Sequence, residues 1–202
     1  MTEERIGIYG GSFNPIHFGH LNLAIEMLEK HNLTKVYFCP AALSPFKQNE
    51  PAIEPHHRLT MVKMAIEGIP QFSILENELL RPPPSYMIDT LEELLVLDKN
   101  KKIKPRYFLI LGGDAILDLH RWHRIDEILA LASPLTGMRP NTIAFNKDHL
   151  IQEAVKKGVT LTRVLEISST ELRVRIGEKK YCSHLLPTKV LDYIYSNRLY
   201  WF

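Results

Sequence analysis

Cysteine is scarce in this chain, which has only Cys39 and Cys182 among its 202 residues. The two lie far apart, and neither has a second cysteine at metal-ligand spacing, so neither a zinc site nor a disulfide framework is expected. Such sparing use of cysteine is typical of a reducing compartment. We therefore expect a cytoplasmic protein.

Long hydrophobic runs are also missing. No apolar stretch approaches the length that spans a bilayer, and residues 1–5 carry no basic segment followed by an apolar core, so neither a membrane span nor a signal peptide is expected. The formal net charge of +2 is too small to indicate binding along a nucleic-acid backbone, although a local basic pocket would still suit a small anion. Membranes and nucleic acids are therefore not expected as partners.

The length and the order of hydrophobic segments predict an α/β fold. A chain of 202 residues can bury a sizeable core and favours one domain, residues 1–202. Short apolar runs alternate with longer amphipathic segments, which favours a parallel sheet with helices on both faces, the doubly wound Rossmann-like arrangement. The predicted strands are 6–9, 36–39, 72–75 and 107–111, and the predicted helices are 18–30, 56–67, 86–97 and 125–131.

The segment after the first predicted strand carries the strongest functional signal. Residues 10–20 read Gly-Gly-Ser-Phe-Asn-Pro-Ile-His-Phe-Gly-His. Gly10 and Gly11 let the backbone approach a polyphosphate, and the helix that begins after them directs free N–H groups and the positive end of its dipole at it. His17 and His20 are three residues apart. On a first helical turn both imidazoles would therefore face one phosphate.

This segment resembles the signature of the nucleotidyltransferase superfamily, in which a glycine-rich turn leads into His-x-Gly-His. Within that superfamily the chain is most similar to the bacterial nicotinate-nucleotide adenylyltransferase family. The resemblance implies a Rossmann-like fold of the nucleotidyltransferase type. It also implies transfer of the adenylyl group of ATP to nicotinate mononucleotide, a step of NAD biosynthesis. The resemblance covers nearly the whole chain, from Arg5 to Tyr200.

A second motif lies at residues 167–173, which read Ile-Ser-Ser-Thr-Glu-Leu-Arg. Ser168 followed three residues later by Glu171 is the pattern of a capping box, so the segment predicts the start of a helix. It also resembles the second signature of the superfamily, whose hydroxyl and N–H groups hold the outer phosphates of ATP and whose arginine, Arg173 in this chain, neutralises them. Both interpretations are compatible, because a helix N-terminus keeps N–H groups for an anion.

The loop after the second predicted strand resembles a family loop that ends in histidine and lysine. Lys47 stands at the lysine position, whereas Ala41 and Phe46 replace the asparagine and histidine that are common in the family. The resemblance implies that Lys47 reaches a phosphate as a flexible point charge. On the helix that follows, the sequence leaves open whether Arg58 is a solvated charge or a support for the substrate loop.

Two further segments resemble the family's pocket for the pyridine mononucleotide. Residues 84–91 read Pro-Ser-Tyr-Met-Ile-Asp-Thr-Leu, with Met87 where threonine is usual, and Ser85 also suits a helix cap. Residues 112–114, Gly-Gly-Asp, follow the fourth predicted strand. Eight residues later, Trp122 matches the tryptophan that stacks on the pyridine ring. If the first and fourth strands are neighbours, both glycine turns border one crevice.

The resemblance thus implies three sets of site residues. The catalytic set is His17, His20, Lys47 and Arg173. The ATP-binding set is Gly10, Gly11, Ser12, Phe13, His17, His20, Gly112, Asp114, Ile167, Ser168, Ser169, Thr170 and Arg173. The mononucleotide-binding set is Lys47, Ser85, Tyr86, Met87, Thr90 and Trp122. No residue is expected to bind a metal directly, and Mg²⁺ is expected to be held through the phosphates of ATP, because no carboxylate cluster offers a cage.

The implied reaction is an in-line attack of a 5′-phosphate oxygen on the α-phosphorus of ATP, giving deamido-NAD and pyrophosphate. The attacking oxygen is already anionic at neutral pH, so catalysis depends on positioning and charge stabilisation rather than on a nucleophilic side chain. The alternatives are transfer to nicotinamide mononucleotide or another phosphorylated acceptor, and a non-catalytic nucleotide-binding role. An oxidoreductase is disfavoured, because Gly-x-Gly-x-x-Gly with a downstream acid is missing. The oligomeric state stays open, a homo-oligomer included.

Overall fold

The computed structural model describes residues 3–43, 45–46, 53–138, 148–163 and 165–201. Within these ranges the strands are β1 (Arg5–Gly11), β2 (Lys35–Pro40), β3 (Phe72–Ile74), β4 (Arg106–Leu111), β5 (Ala132–Met138) and β6 (Val159–Leu161). The helices are α1 (Phe18–Lys30), α2 (Pro55–Ile66), α3 (Asn77–Leu80), α4 (Met87–Leu97), α5 (Gly113–Leu117), α6 (Ile125–Leu131), α7 (His149–Gly158), α8 (Ser169–Gly177) and α9 (Thr188–Ser196), with a short 3₁₀ helix at Leu119–Arg121. The four strands and four helices predicted between residues 6 and 131 are confirmed.

The described strands form one parallel sheet in the order β3-β2-β1-β4-β5-β6. β1 lies in the middle of the sheet, with Ile8 opposite Tyr37 of β2 on one side and Leu109 of β4 on the other. The strand order reverses between β1 and β4, which confirms the doubly wound prediction. The loops that follow these two strands therefore border one crevice at the carboxyl edge of the sheet.

The sheet separates two hydrophobic cores. Successive residues of a strand point to opposite faces, so Ile8 of β1 belongs to one core and Tyr9 to the other. The core that contains Tyr9 is closed by α1, α2, α8 and α9, through residues such as Ala24, Met61, Ile176 and Ile194. The core that contains Ile8 is closed by α4, α6 and α7, through residues such as Leu91, Ile128 and Val155. Burial on both faces explains the continuous apolar runs of the central strands.

Strands β5 and β6 have no counterpart among the predicted strands. Pro134 and Gly137 lie inside β5, and both residue types argue against a strand in the sequence. Pro134 lies opposite Leu109 of β4 and precedes Thr136–Met138, the part of β5 that pairs with β6. Helix α7 then ends directly against β5, since a Cβ on Gly158 would lie 1.8 Å from the carbonyl oxygen of Pro134.

Candidate active site

His17 and His20 lie side by side where α1 begins. His17 is the N-cap, with an extended backbone at φ −149° and ψ 172°, and His20 is the third residue of the helix. The centroids of their rings are 3.7 Å apart, and the ring planes differ by 31°. The structure therefore brings the two histidines together, as their spacing predicts.

The surroundings of the two histidines fix their protonation. The backbone N–H of His17 donates to Nδ1 of His20 at 3.3 Å, so this nitrogen carries no proton and Nε2 of His20 is the donor. Only 5% of His17 is exposed, and burial lowers the pKa of His17 to about 4. His17 is therefore neutral at pH 7. Its Nδ1 is buried inside the protein.

The glycine of the His-x-Gly-His motif has a steric role. A Cβ on Gly19 would lie 3.0 Å from two atoms of the His17 ring and 3.2 Å from the carbonyl oxygen of Leu165. A side chain at this position would push His17 out of place or displace the segment that precedes α8. Gly10 also makes room for a neighbour, because a Cβ there would lie 2.8 Å from Cε of Met87.

The motif at residues 167–173 docks onto the loop between β1 and α1. The hydroxyl of Ser169 donates to the carbonyl oxygen of Pro15 at 2.9 Å, although the two residues are 154 positions apart in sequence. The guanidinium of Arg173 donates to the carbonyl oxygen of Asn14 at 2.9 Å and to the hydroxyl of Thr170 at 3.2 Å. Both signature segments, and with them the N-termini of α1 and α8, thus meet at this loop.

Two predicted helix caps are wrong. Helix α8 does begin after Ser168, but the Ser168 side chain makes no capping hydrogen bond, so the predicted capping box with Glu171 is not formed. The N-cap of α4 is Tyr86 rather than Ser85, and Oγ of Ser85 instead accepts from the backbone N–H of Ala42 at 3.0 Å. At the start of α8 the hydroxyl of Ser169, and at the start of α4 the hydroxyl of Ser85, binds the backbone of a neighbouring loop. These are tertiary contacts, which the local spacing of residues does not reveal.

A cavity of about 560 Å³ lies beside these motifs, at the carboxyl edge of the sheet. Its wall includes Gly10, Gly11 and Ser12 of the loop after β1. Four of the predicted mononucleotide-binding residues also line it, namely Ser85, Tyr86, Met87 and Trp122. Tyr86 packs against His123, with ring centroids 4.7 Å apart, and so connects the start of α4 to the segment that carries Trp122. The cavity therefore joins the glycine-rich loop to the predicted pyridine pocket.

Thr90 has a different position from the one expected. It is not among the described residues that line the cavity, and its side chain is fully buried. Its hydroxyl donates to Oε1 of Glu78 at 3.2 Å and accepts from the guanidinium of Arg81 at 2.6 Å. The predicted direct contact between Thr90 and a mononucleotide does not fit this position, because Thr90 lies behind the wall and holds Glu78.

Glu78 is a cavity residue that the sequence motifs do not indicate. It is buried yet lines the cavity. Burial raises the pKa of the Glu78 carboxyl, while hydrogen bonds with Thr90, Cys39 and Ser85 and the charge of Arg81 act in the opposite direction. No motif marks this position in the sequence; a buried acid in the wall is visible only from the tertiary contacts.

Arg58 is a buried support rather than a solvated charge. Only 2% of it is exposed. Its guanidinium donates to the carbonyl oxygens of Ser12 at 2.8 Å, Ala41 at 2.7 Å and Ala42 at 2.9 Å. Arg58 therefore ties the loop after β1 to the loop after β2. Of the two possibilities that the sequence leaves open, the structure favours a support for the loop after β2 over a solvated charge.

The other predicted site residues fall into three groups. The ring of Phe13 is buried and packs edge-on against His20, with centroids 5.2 Å apart, so this side chain supports the histidine from behind. Gly112 lies just past β4, where a Cβ would meet nothing within 4 Å, and Ile167 packs against the core closed by α8. Lys47 and the side chain of Asp114 lie outside the described part of the chain, so their predicted roles stay predictions.

Comparisons with known proteins agree on one family. Residues 8–175 match the family model described as Cytidylyltransferase-like. The chain is 37% identical to a protein of Carboxydothermus hydrogenoformans named probable nicotinate-nucleotide adenylyltransferase, over 99% of this chain and 100% of that protein. It is 36% identical to the nicotinate-nucleotide adenylyltransferase of Bacillus subtilis, over 98% of each chain.

The fold is similar to that of solved structures as well. One is Plasmodium falciparum nicotinic acid mononucleotide adenylyltransferase complexed with NaAD, with a TM-score of 0.76, 21% sequence identity and 98% of each chain covered. A second structure under the same protein name, complexed with APC, gives a TM-score of 0.73 at 22% identity, again with 98% of each chain covered. At this level of identity, the likeness establishes the fold.

Proposed function

The chain belongs to the nicotinate-nucleotide adenylyltransferase family, and on that premise we propose that it transfers the adenylyl group of ATP to nicotinate mononucleotide. The products are deamido-NAD and pyrophosphate. The observation that carries the proposal is the meeting of two distant signature segments at one loop, which itself forms part of the cavity wall.

The ATP phosphates would bind where α1 and α8 begin. Both helix N-termini lie at the loop between β1 and α1, and each contributes the positive end of a helix dipole. Arg173 adds a full positive charge at the same loop. A triphosphate is the ligand that suits this concentration of N–H groups and positive charge.

The two histidines would act as neutral hydrogen-bond donors. Nε2 of His20 carries its proton because Nδ1 accepts from the backbone, and the His17 ring, which burial keeps neutral, lies beside it with ring centroids 3.7 Å apart. In-line attack by the mononucleotide phosphate increases negative charge around the α-phosphorus, and fixed donors stabilise that charge without having to reorganise. Arg173, and Lys47 from the loop after β2, would neutralise the leaving pyrophosphate.

The pyridine mononucleotide would occupy the cavity. Tyr86 and Trp122 supply aromatic surface for a flat, electron-poor ring. Arg121, whose guanidinium lies 5.0 Å from the centroid of the Phe46 ring, adds a cation to the same wall and favours an acidic ligand. The buried acid Glu78 favours the opposite choice, since its oxygens suit the N–H donors of an amide. Nicotinamide mononucleotide is therefore the second candidate acceptor.

Mg²⁺ held by the phosphates of ATP is part of the proposal. Within the described ranges, no group of three or more His, Cys, Asp or Glu side chains is placed to hold a metal ion. We also propose a cytoplasmic location, which the two buried and unbridged cysteines, Cys39 and Cys182, support. No helix in the part of the chain that the structure describes is both long and apolar enough to cross a membrane.

The test is pyrophosphate release from ATP and Mg²⁺, with nicotinate mononucleotide in one reaction and nicotinamide mononucleotide in a second. A third reaction without acceptor measures simple ATP hydrolysis. Preference for the acid supports the proposal, and preference for the amide supports the second candidate. Release that does not depend on either mononucleotide would contradict both.

The variant Glu78→Gln tests whether this cavity residue influences the choice between the two mononucleotides. If Glu78 opposes a carboxylate ligand, its neutral amide should shift the ratio of kcat/KM values toward nicotinate mononucleotide. An unchanged ratio would remove Glu78 from the specificity argument while leaving the transferase proposal intact.

A further inference from the structure

The chain after α9 turns back into the interior of the protein. Arg198 and Tyr200 both have left-handed backbones, with φ of 53° and 63°, a conformation that residues with a Cβ rarely adopt. These two turns bury Leu199 and Tyr200, while Trp201 stays 45% exposed. The backbone of Tyr200 also packs closely on α8, because a Cβ on Gly177 would lie 3.1 Å from the Tyr200 carbonyl oxygen. Packing contacts therefore hold Tyr200 in place despite the strain of its backbone.

The hydroxyl of Tyr200 reaches the loop that precedes the two histidines. It donates to Oδ1 of Asn14 at 2.8 Å, in buried surroundings. Burial raises the pKa of Tyr200, against the opposing charges of Arg173 and Arg58, so the hydroxyl keeps its proton and stays a donor. The carbonyl oxygen of Asn14 meanwhile accepts from Arg173. Asn14 is thus held from two sides, through its side chain by the tail and through its backbone by α8.

The contact differs in kind from the other supports of this loop. Arg58 and Ser169 bind backbone carbonyl oxygens, at Ser12 and Pro15. Tyr200 binds a side chain and therefore fixes the rotamer of Asn14, three residues before His17. Tyr200 is not among the described residues that line the cavity, so any effect on a ligand has to pass through the loop.

We propose that Tyr200 is a positioning residue, which acts through Asn14 to hold the loop before α1 so that His17 and His20 keep their orientation toward the reacting phosphate. This inference rests on the proposed function. Small displacements of groups that stabilise a transition state lower kcat strongly, whereas Tyr86 and Trp122, which would contact the mononucleotide ring, belong to other segments and should keep their positions. Tyr200 therefore influences turnover rather than acceptor affinity.

The first test is Tyr200→Phe, which keeps the ring and removes only the hydroxyl. Tyr195→Phe, on α9 and partly exposed, is the matched control. We expect kcat to fall by about tenfold in Tyr200→Phe, on the scale of a partial misplacement of catalytic groups, with an unchanged KM for the mononucleotide. Thermal unfolding of both variants, with assays well below the midpoints, separates this effect from loss of folded protein. A kcat equal to that of Tyr195→Phe would overturn the inference, as would a loss of kcat that merely follows the unfolded fraction.

A double-mutant cycle tests the route through Asn14. If the hydroxyl acts through Asn14, Tyr200→Phe should have no further effect on kcat in an Asn14→Ala background. An equal loss in both backgrounds would mean that the hydroxyl acts elsewhere, and the inference would be wrong.

A third readout does not depend on activity. Removal of the Tyr200 hydroxyl should shift the imidazole NMR signals of His17 and His20, and removal of the Tyr195 hydroxyl should not. Unmoved signals in Tyr200→Phe would contradict a positioning role. An inactive wild-type protein would instead contradict the proposed function, and the NMR comparison would still decide the inference.

Discussion

The backbone N–H of His17 donates to Nδ1 of His20, so the first histidine of the motif sets the tautomer of the second. A side-chain acceptor at the third helical position thereby satisfies a backbone donor at the N-cap. The consequence is that Nε2 of His20 is a donor without protonation to the imidazolium form. A neutral donor needs no change of protonation state before the reaction.

Replacing His20 by alanine should lower kcat by roughly one hundredfold or more, the usual effect of removing one preorganised donor from a charged transition state. Pyrophosphate release at saturating ATP and mononucleotide measures it. His184→Ala, an exposed histidine stacked on Tyr181, is the control and should retain wild-type kcat. Near-normal turnover in His20→Ala would contradict the assigned role.

Acid should destabilise the protein through His17. Because burial lowers the pKa of His17 to about 4 from an ordinary value of 6.5, the unfolded chain binds a proton between these limits that the folded chain does not. Stability is therefore lost as the pH falls below 6.5. This residue should account for about 2 kcal/mol between pH 7.5 and pH 5. Urea unfolding at both pH values, in wild type and in His17→Gln, measures the difference. Parallel pH dependence in the two proteins would show that His17 is not the cause.

Trp122→Ala should weaken binding of the mononucleotide. Loss of one aromatic stacking surface should raise the KM for the mononucleotide by roughly tenfold or more. The KM for ATP should be unchanged, because Trp122 is a residue of the cavity wall and does not belong to the loop before α1. The control is the only other tryptophan of the chain, Trp201, whose replacement by alanine should change neither constant. A rise in the KM for ATP alone would show that the pocket has been assigned to the wrong substrate.

Arg58→Met should destabilise the fold by about 3 kcal/mol or more, because one buried and two partly buried carbonyl oxygens lose a charged donor at once. Denaturant unfolding provides the free energy of unfolding. Lys63→Met, on the same helix but at a half-exposed side chain paired with Glu76, should cost less than about 1 kcal/mol. Equal effects of the two substitutions would argue against a special role of Arg58 in joining the loops.

The sequence predicts those parts of the site that depend on local pattern. Gly10, His17, His20 and Trp122 stand in motifs whose spacing carries the information, and the structure brings the two histidines together beside the cavity. The adjacency of β1 and β4 also follows from a general rule, because alternating strands and helices favour a sheet whose order reverses at one point.

Other parts depend on tertiary contacts that no local pattern encodes. Glu78 and Tyr200 meet their partners only after distant elements pack, and Thr90 lies behind the cavity wall, where its hydroxyl binds Arg81 and Glu78. The cap predicted at Ser85 is wrong for the same reason. The single-domain organisation and the individual ligand contacts stay predictions.

The contact between Ser169 and Pro15 also constrains when the site is assembled. β1 can pair with β2 first, but its other edge is completed only by β4, with Arg5 opposite Arg106, and the contacts of Ser169 and Arg173 with the loop before α1 form only after α8 has been synthesised. Contacts this distant in sequence form slowly, since the chain between them must first be ordered. A nascent chain that ends before α8 therefore keeps the contact of Arg58 with Ser12 but lacks those of Ser169 and Arg173 with Pro15 and Asn14, so we expect the site to be completed late in synthesis.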